Sequence, residues 1–109
     1  MAYDEGLAQL MRQDLQEAEG ITERRMFGGI AFMLHGHMVC GIHPGGAMYR
    51  VGKSHEADAK ALGNAQDMTF TGRKMGGFVE IDDEGMGDEE RRRRWLAWAM
   101  AHAASLPPK

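Results

Sequence analysis

Met26-Phe27-Gly28-Gly29-Ile30-Ala31-Phe32-Met33-Leu34-His35-Gly36-His37-Met38-Val39-Cys40-Gly41-Ile42-His43-Pro44-Gly45-Gly46-Ala47-Met48-Tyr49-Arg50-Val51 is the stretch on which the fold turns. It is apolar, has no helix cap and holds six glycines, each of which costs a helix interior about 1 kcal/mol relative to alanine. The pattern predicts a strand over 26–34 with a bend or bulge at Gly28-Gly29. A turn at His35-Gly36, a strand over 37–43, a turn at Pro44-Gly45-Gly46 and a strand over 47–51 follow. Short antiparallel strands joined by glycine turns make a meander.

Helices are expected on both sides of it. Residues 4–18 place Leu7, Leu10, Met11, Leu15 and Ala18 on one helical face, with Asp4 as N-cap and Gly20 closing. Ser54 reads as the N-cap of a short helix over 55–62 that Gly63 ends. Residues 64–76 read as an irregular link, with a short strand near 68–71, and 78–81 as a strand. Asp82 to Gly87 reads as an acidic turn. The last helix, 88–104, carries Trp95, Trp98, Ala99, His102 and Ala103 at helical spacing and acids in its first turn. The expected class is α+β in two layers, an antiparallel sheet with helices on one face, in the order α-β-β-β-α-β(-β)-α.

The chain of 109 residues and 12.1 kDa has room for one domain over 1–109. Its single cysteine, Cys40, allows no internal disulfide, which favours a reducing cytoplasmic setting. The start of the chain lacks the basic and apolar segments of a signal peptide, and no stretch approaches the ~20 apolar residues of a membrane span. The net charge of −3 argues against DNA binding by bulk charge. The charge is uneven, however. Residues 20–79 carry seven bases and four acids, between acidic segments at 1–19 and 80–109.

Several stretches together resemble the N-terminal domain family of TfoX, also called Sxy. They are Thr22 to Leu34 with its Arg25-Met26-Phe27-Gly28-Gly29, Gly36 to Gly41, Met48-Tyr49-Arg50-Val51-Gly52, Met68 to Val79 with its Phe70-Thr71-Gly72-Arg73-Lys74-Met75-Gly76-Gly77-Phe78, and the Trp-bearing last helix. The resemblance implies a regulator of natural competence that acts with the cyclic-AMP receptor protein at promoters. It also implies a two-layer fold similar to type III secretion chaperones, often dimeric. The larger relatives carry a second domain, which a chain ending at Lys109 is expected to lack. The family motif marks Arg25, Met26, Phe27, Gly28, Gly29, Arg50, Gly52, Arg73, Met75, Gly77 and Phe78 as a candidate partner surface.

Three other groups suggest chemistry. His35, His37 and Cys40, with His43 beyond, offer imidazole and thiolate to a metal. On a strand, His37 and His43 would lie about 20 Å apart and Cys40 would face the other way; turn histidines and a buried thiol are the alternative. A Cys40–His43 or Cys40–His102 nucleophile pair has no motif behind it. Arg91-Arg92-Arg93-Arg94 is the one dense basic run. Consecutive helical residues point around the whole helix, and Glu89 and Glu90 stand at i,i+4 from Arg93 and Arg94. The run reads either as a salt-bridged helix start or as a patch for an acidic partner or nucleic acid. Trp95 and Trp98 are expected to pack against the sheet.

The expectation is a non-enzymatic interaction module without cofactor or resident metal, a transcription co-regulator that contacts a transcription factor or RNA polymerase. Direct nucleic-acid binding through Arg91 to Arg94 and the basic middle segment is the alternative. A metal- or small-molecule-binding protein stands third.

Overall fold

Asp4 opens the first helix as its position predicts. In a computed structural model, which describes residues 3–26, 28–70 and 72–108, the Asp4 carboxylate accepts from the N–H groups of Gly6 (2.8 Å) and Leu7 (3.2 Å). These are two of the donors that a helix leaves unpaired at its start. Helix α1 (Glu5–Asp14) buries Leu7, Ala8 and Met11. It is shorter than the expected 4–18, although Leu15 stays buried just beyond its end.

Residues 26–34 depart from the expected single bent strand, and residues 21–25 add a strand that was not expected. Two strands form, β1 (Ile21–Met26) and β2 (Gly29–Leu34), paired antiparallel with Met26 opposite Gly29. Gly28, at φ 74°, is therefore part of a tight hairpin turn and not of a bulge; Phe27 lies outside the described residues. Strand β1 escaped notice because it is an edge strand with its middle residues exposed, so it lacks an apolar alternation. The true bulge lies one hairpin further on, where the register between β2 and β3 (His37–His43) shifts at Phe32/Met33.

The turns at His35-Gly36, both at positive φ, and at Pro44-Gly45 fall where expected. They lead into β3 and β4 (Gly46–Arg50). A 3-10 turn over Lys53–His55 precedes α2 (Glu56–Ala61). No side-chain cap bond forms there, so Ser54 is not the N-cap that its type suggested. Residues 64–76 are not an irregular link. They form β5 (Ala65–Phe70) and the start of β6 (Arg73–Ile81), a long hairpin with a register shift between Asp67 and Thr69. The acidic turn contains a helical turn, α3 (Asp83–Met86), capped by Asp82. Helix α4 (Glu89–Ser105) is capped by Asp88, close to the expected bounds.

The six strands form one antiparallel sheet in the order β1-β2-β3-β4-β6-β5. Helices cover one face. Phe32, Ile42, Tyr49, Val79 and Ile81 pack there against Leu7, Met11, Ala59, Met86, Trp95, Ala99 and Ala103. The other face holds a second cluster drawn from strands alone: Ala31, Met33, Met38, Met48, Met68 and Phe78, with Met26 and Met75 against it. Met48 and Met68 are fully buried there although only strands contribute to this cluster. Their unbranched side chains fill irregular gaps well.

Gly29 shows how close the β2 and β3 backbones run. A Cβ at that position would collide with the Ile42 carbonyl oxygen and lie 2.8 Å from His43 Cα. Gly29→Ala is expected to cost about 1–3 kcal/mol or more, read as a fall in the urea midpoint with an unchanged slope. Gly72→Ala, where a Cβ would meet open space, should bring only the smaller backbone cost of a positive φ.

Candidate interaction surface

Helix α4 sorts its four arginines by angle. Arg92 turns inward with Trp95, Ala99 and Ala103. Its Nε donates to Asp14 Oδ2 (2.9 Å) and its Nη1 to the Met86 carbonyl (2.7 Å). Arg91 is also committed, donating to Asp88 and to the carbonyl oxygens of Leu62 and Gly63 behind α2. Arg93 pairs with Glu89 at 2.6 Å on the open surface, the i,i+4 pair that the spacing predicts. Arg94 does not pair with Glu90. Its guanidinium lies 5.6 Å from the centre of the Trp98 ring. The run is therefore not one patch.

Arg94, Trp98 and His102 stand at i, i+4 and i+8, one stripe along α4. Trp95 is fully buried and donates its indole N–H to the Ala59 carbonyl (3.0 Å). Trp98 also packs against the core, as expected, but is only partly buried. The His55 ring stacks on Trp98 at 5.5 Å and 17°, and His55 Nδ1 lies 3.0 Å from Asp58. His102 packs against Gly52, where an added Cβ would sit 2.8 Å from His102 Nδ1. Burial holds the His102 pKa below its ordinary value, and the positive charge of Arg50, then His37 and His55, pushes it further the same way. Arg50 lies at the end of β4 with its guanidinium 5.9 Å from the Phe78 ring centre.

Comparison with family models matches residues 13–103 to the TfoX N-terminal domain. The chain belongs to the TfoX N-terminal domain family. It is thus a competence-regulator-like domain. Comparison with curated proteins and with solved structures gives no match.

The residues that carry the TfoX resemblance come from two ends of the sheet and meet at the strand-only methionine cluster, which Met26, Met75 and Phe78 share. Arg50, Gly52, Gly77 and Phe78 come together. Arg50 pairs with Phe78 across β4 and β6, and the Gly52 N–H donates to the Gly77 carbonyl (3.0 Å). Both glycines hold positive φ, 89° and 86°, so the two backbones can lie against each other. The Gly77 N–H donates to Glu56 (2.6 Å), which holds that carboxyl below its usual range. Met75 rests on the methionine cluster, and Arg73 is exposed at the β5–β6 tip. Arg25, Met26, Gly28 and Gly29 belong to the β1–β2 hairpin at the other end of the strand order.

The metal candidates scatter. His35 is exposed in its turn, and His37 donates to the Pro107 carbonyl (2.6 Å). Cys40 is fully buried, and burial pushes its thiol far above the range in which a thiolate forms. Among the described residues no group of three or more His, Cys, Asp or Glu side chains is placed to hold a metal. His43 accepts from the Gly45 N–H at Nδ1 (3.2 Å). Its Nε2 lies 3.0 Å from Glu80 but poorly aligned for a hydrogen bond.

Sequence reasoning missed His55 and His102 as neighbours of Trp98. The i, i+4, i+8 spacing of Arg94, Trp98 and His102 was the available signal; the approach of His55 and Arg50 had none.

Two outcomes test this geometry. Arg92→Ala leaves Asp14, only 12% exposed, facing a lost cation, and is expected to cost about 3–5 kcal/mol in denaturant unfolding. Because the folded His102 pKa is lowered, the unfolded chain binds its proton first as pH falls. Stability should therefore decline from pH 7.5 to pH 5.5 around the ordinary histidine value of about 6.5, and His102→Gln should flatten part of that decline in thermal melts.

Proposed function

We propose that this domain is a non-enzymatic protein-interaction module acting in the cytoplasm, where it serves transcription control by contacting a transcription factor or RNA polymerase. The observation that carries the reading is the partly buried Trp98 with Arg94 over its ring, on the margin of a helix whose other arginines are already committed. Tryptophan and arginine together at a solvent boundary are the residues that most often dominate protein interfaces. Membership in the TfoX N-terminal family supplies the regulatory context. The buried thiol of Cys40 supports a role in binding over nucleophilic chemistry.

The same cations favour a second reading, direct contact with nucleic acid, since Arg24, Arg25, Arg50, Lys53, Arg73 and Arg94 carry no ion pair among the described residues. A lysate pull-down with and without nuclease separates the two. Nuclease-resistant capture of a transcription factor or polymerase subunit, lost in Arg94→Glu/Trp98→Ser, is the expected result. Capture that vanishes with nuclease would transfer the assignment to nucleic acid.

A further inference from the structure

We propose that Met26 and Met75 form an oxidation site: a hydroperoxide converts their thioethers to sulfoxides, and the change opens the strand-only methionine cluster that these two side chains close. Inside that cluster Met33 and Met38 are 5% exposed, and Met48 and Met68 are 0% exposed. Met26 and Met75 pack against it and are only partly buried. They come from β1 and β6, with β2, β3 and β4 between them in the strand order, so they reach one cluster from two ends of the sheet. Strands alone contribute to it. Among the described residues, the only other partly buried methionine is Met100, which packs against the helix-covered core. The one thiol is out of reach, since Cys40 is fully buried and burial raises its pKa. Oxidation of sulfur follows exposure, so the first targets are thioethers.

A lone pair of the sulfur attacks the terminal oxygen of the hydroperoxide. The S–O bond forms as the O–O bond breaks, and the proton of the transferred oxygen passes to the departing one, which leaves as an alcohol. The sulfur is oxidised and the peroxide reduced. A sulfoxide is polar, and returning it to an apolar rim buries an acceptor without a partner. A donor stands beside each methionine. Arg24 precedes Met26 and Arg73 precedes Met75 by two strand positions, which puts each pair on one face of the sheet. Both arginines are exposed, and neither has an ion pair among the described residues. Their guanidinium N–H groups suit a sulfoxide oxygen, whereas a thioether sulfur is only a weak acceptor. Oxidation therefore draws both side chains outward, toward arginine and water, and uncovers Met33, Met38, Met48 and Met68.

The test is a time course of the full chain with tert-butyl hydroperoxide, read by peptide mass spectrometry together with amide hydrogen exchange. Met26, Met75 and Met100 should at first oxidise at least about tenfold faster than Met33, Met38, Met48 and Met68. Once Met26 and Met75 carry oxygen, the inner methionines should accelerate. Exchange in β1, β5 and β6 should then rise while α4 keeps its protection. Met26→Leu/Met75→Leu keeps the rim apolar at similar volume. In that variant the inner methionines should stay reduced while Met100 oxidises as before. Methionine sulfoxide reductase should restore slow exchange to the oxidised chain. Inner methionines that oxidise as fast as Met26 and Met75, or as fast in the leucine variant as in the unaltered chain, would each overturn the proposal. So would an oxidised chain whose β5–β6 exchange is unchanged, or is not restored by the reductase. Should the leucine variant fail to fold, the order of oxidation and the exchange of the unaltered chain decide the matter.

Discussion

A buried guanidinium governs the arrangement. Arg92 sits in the interior with 9% of its side chain exposed, held by Asp14 after α1 has nearly ended and by the Met86 carbonyl at the end of α3. A charge in that position is tolerated only when its donors are met. Three segments are therefore fixed to one another through one side chain, and the rotation of α4 about its axis is set. With Arg92, Trp95, Ala99 and Ala103 inward, Arg94, Trp98 and His102 must fall at the helix margin. The candidate surface is the geometric remainder of the packing.

Trp95 reinforces the same constraint. Its indole N–H reaches the Ala59 carbonyl and its ring lies 6.0 Å from that of Tyr49, so α4 is bound to α2 and to the centre of the sheet. Arg91 closes the C-terminal end of α2 by taking the carbonyl oxygens of Leu62 and Gly63. The segment from Gly52 to Gly63 thus lies alongside α4, which brings His55 to Trp98 and Gly52 to His102. Residues more than 40 positions apart in the chain meet because the Arg91 guanidinium and the Trp95 indole N–H hold a short helix in place.

The two faces of the sheet obey different rules. The helix-covered face uses branched and aromatic side chains that interlock with α1 and α4. The strand-only face uses methionines, with strands alone around them. The close pairing of β2 with β3 needs the bare backbones of Gly29 and Gly41, where a Cβ would run into the carbonyl oxygens of Ile42 and Ile30.

The sequence by itself determined what local chemistry decides. Asp4 as a cap, the turns at His35-Gly36 and Pro44-Gly45, strands β3 and β4, and helix α4 were all legible, since each rests on neighbouring residues. The α+β class followed from their order, and the family from motifs. Strand β1 and most of the β5–β6 hairpin were not legible, because an edge strand with polar side chains exposes no alternation. Nor was the fate of the arginine run. Only tertiary packing decided that Arg92 is a core residue, Arg91 a clamp on α2, and Arg94 a neighbour of Trp98. Four identical side chains in a row carry no local difference, and their roles come from what lies opposite each of them.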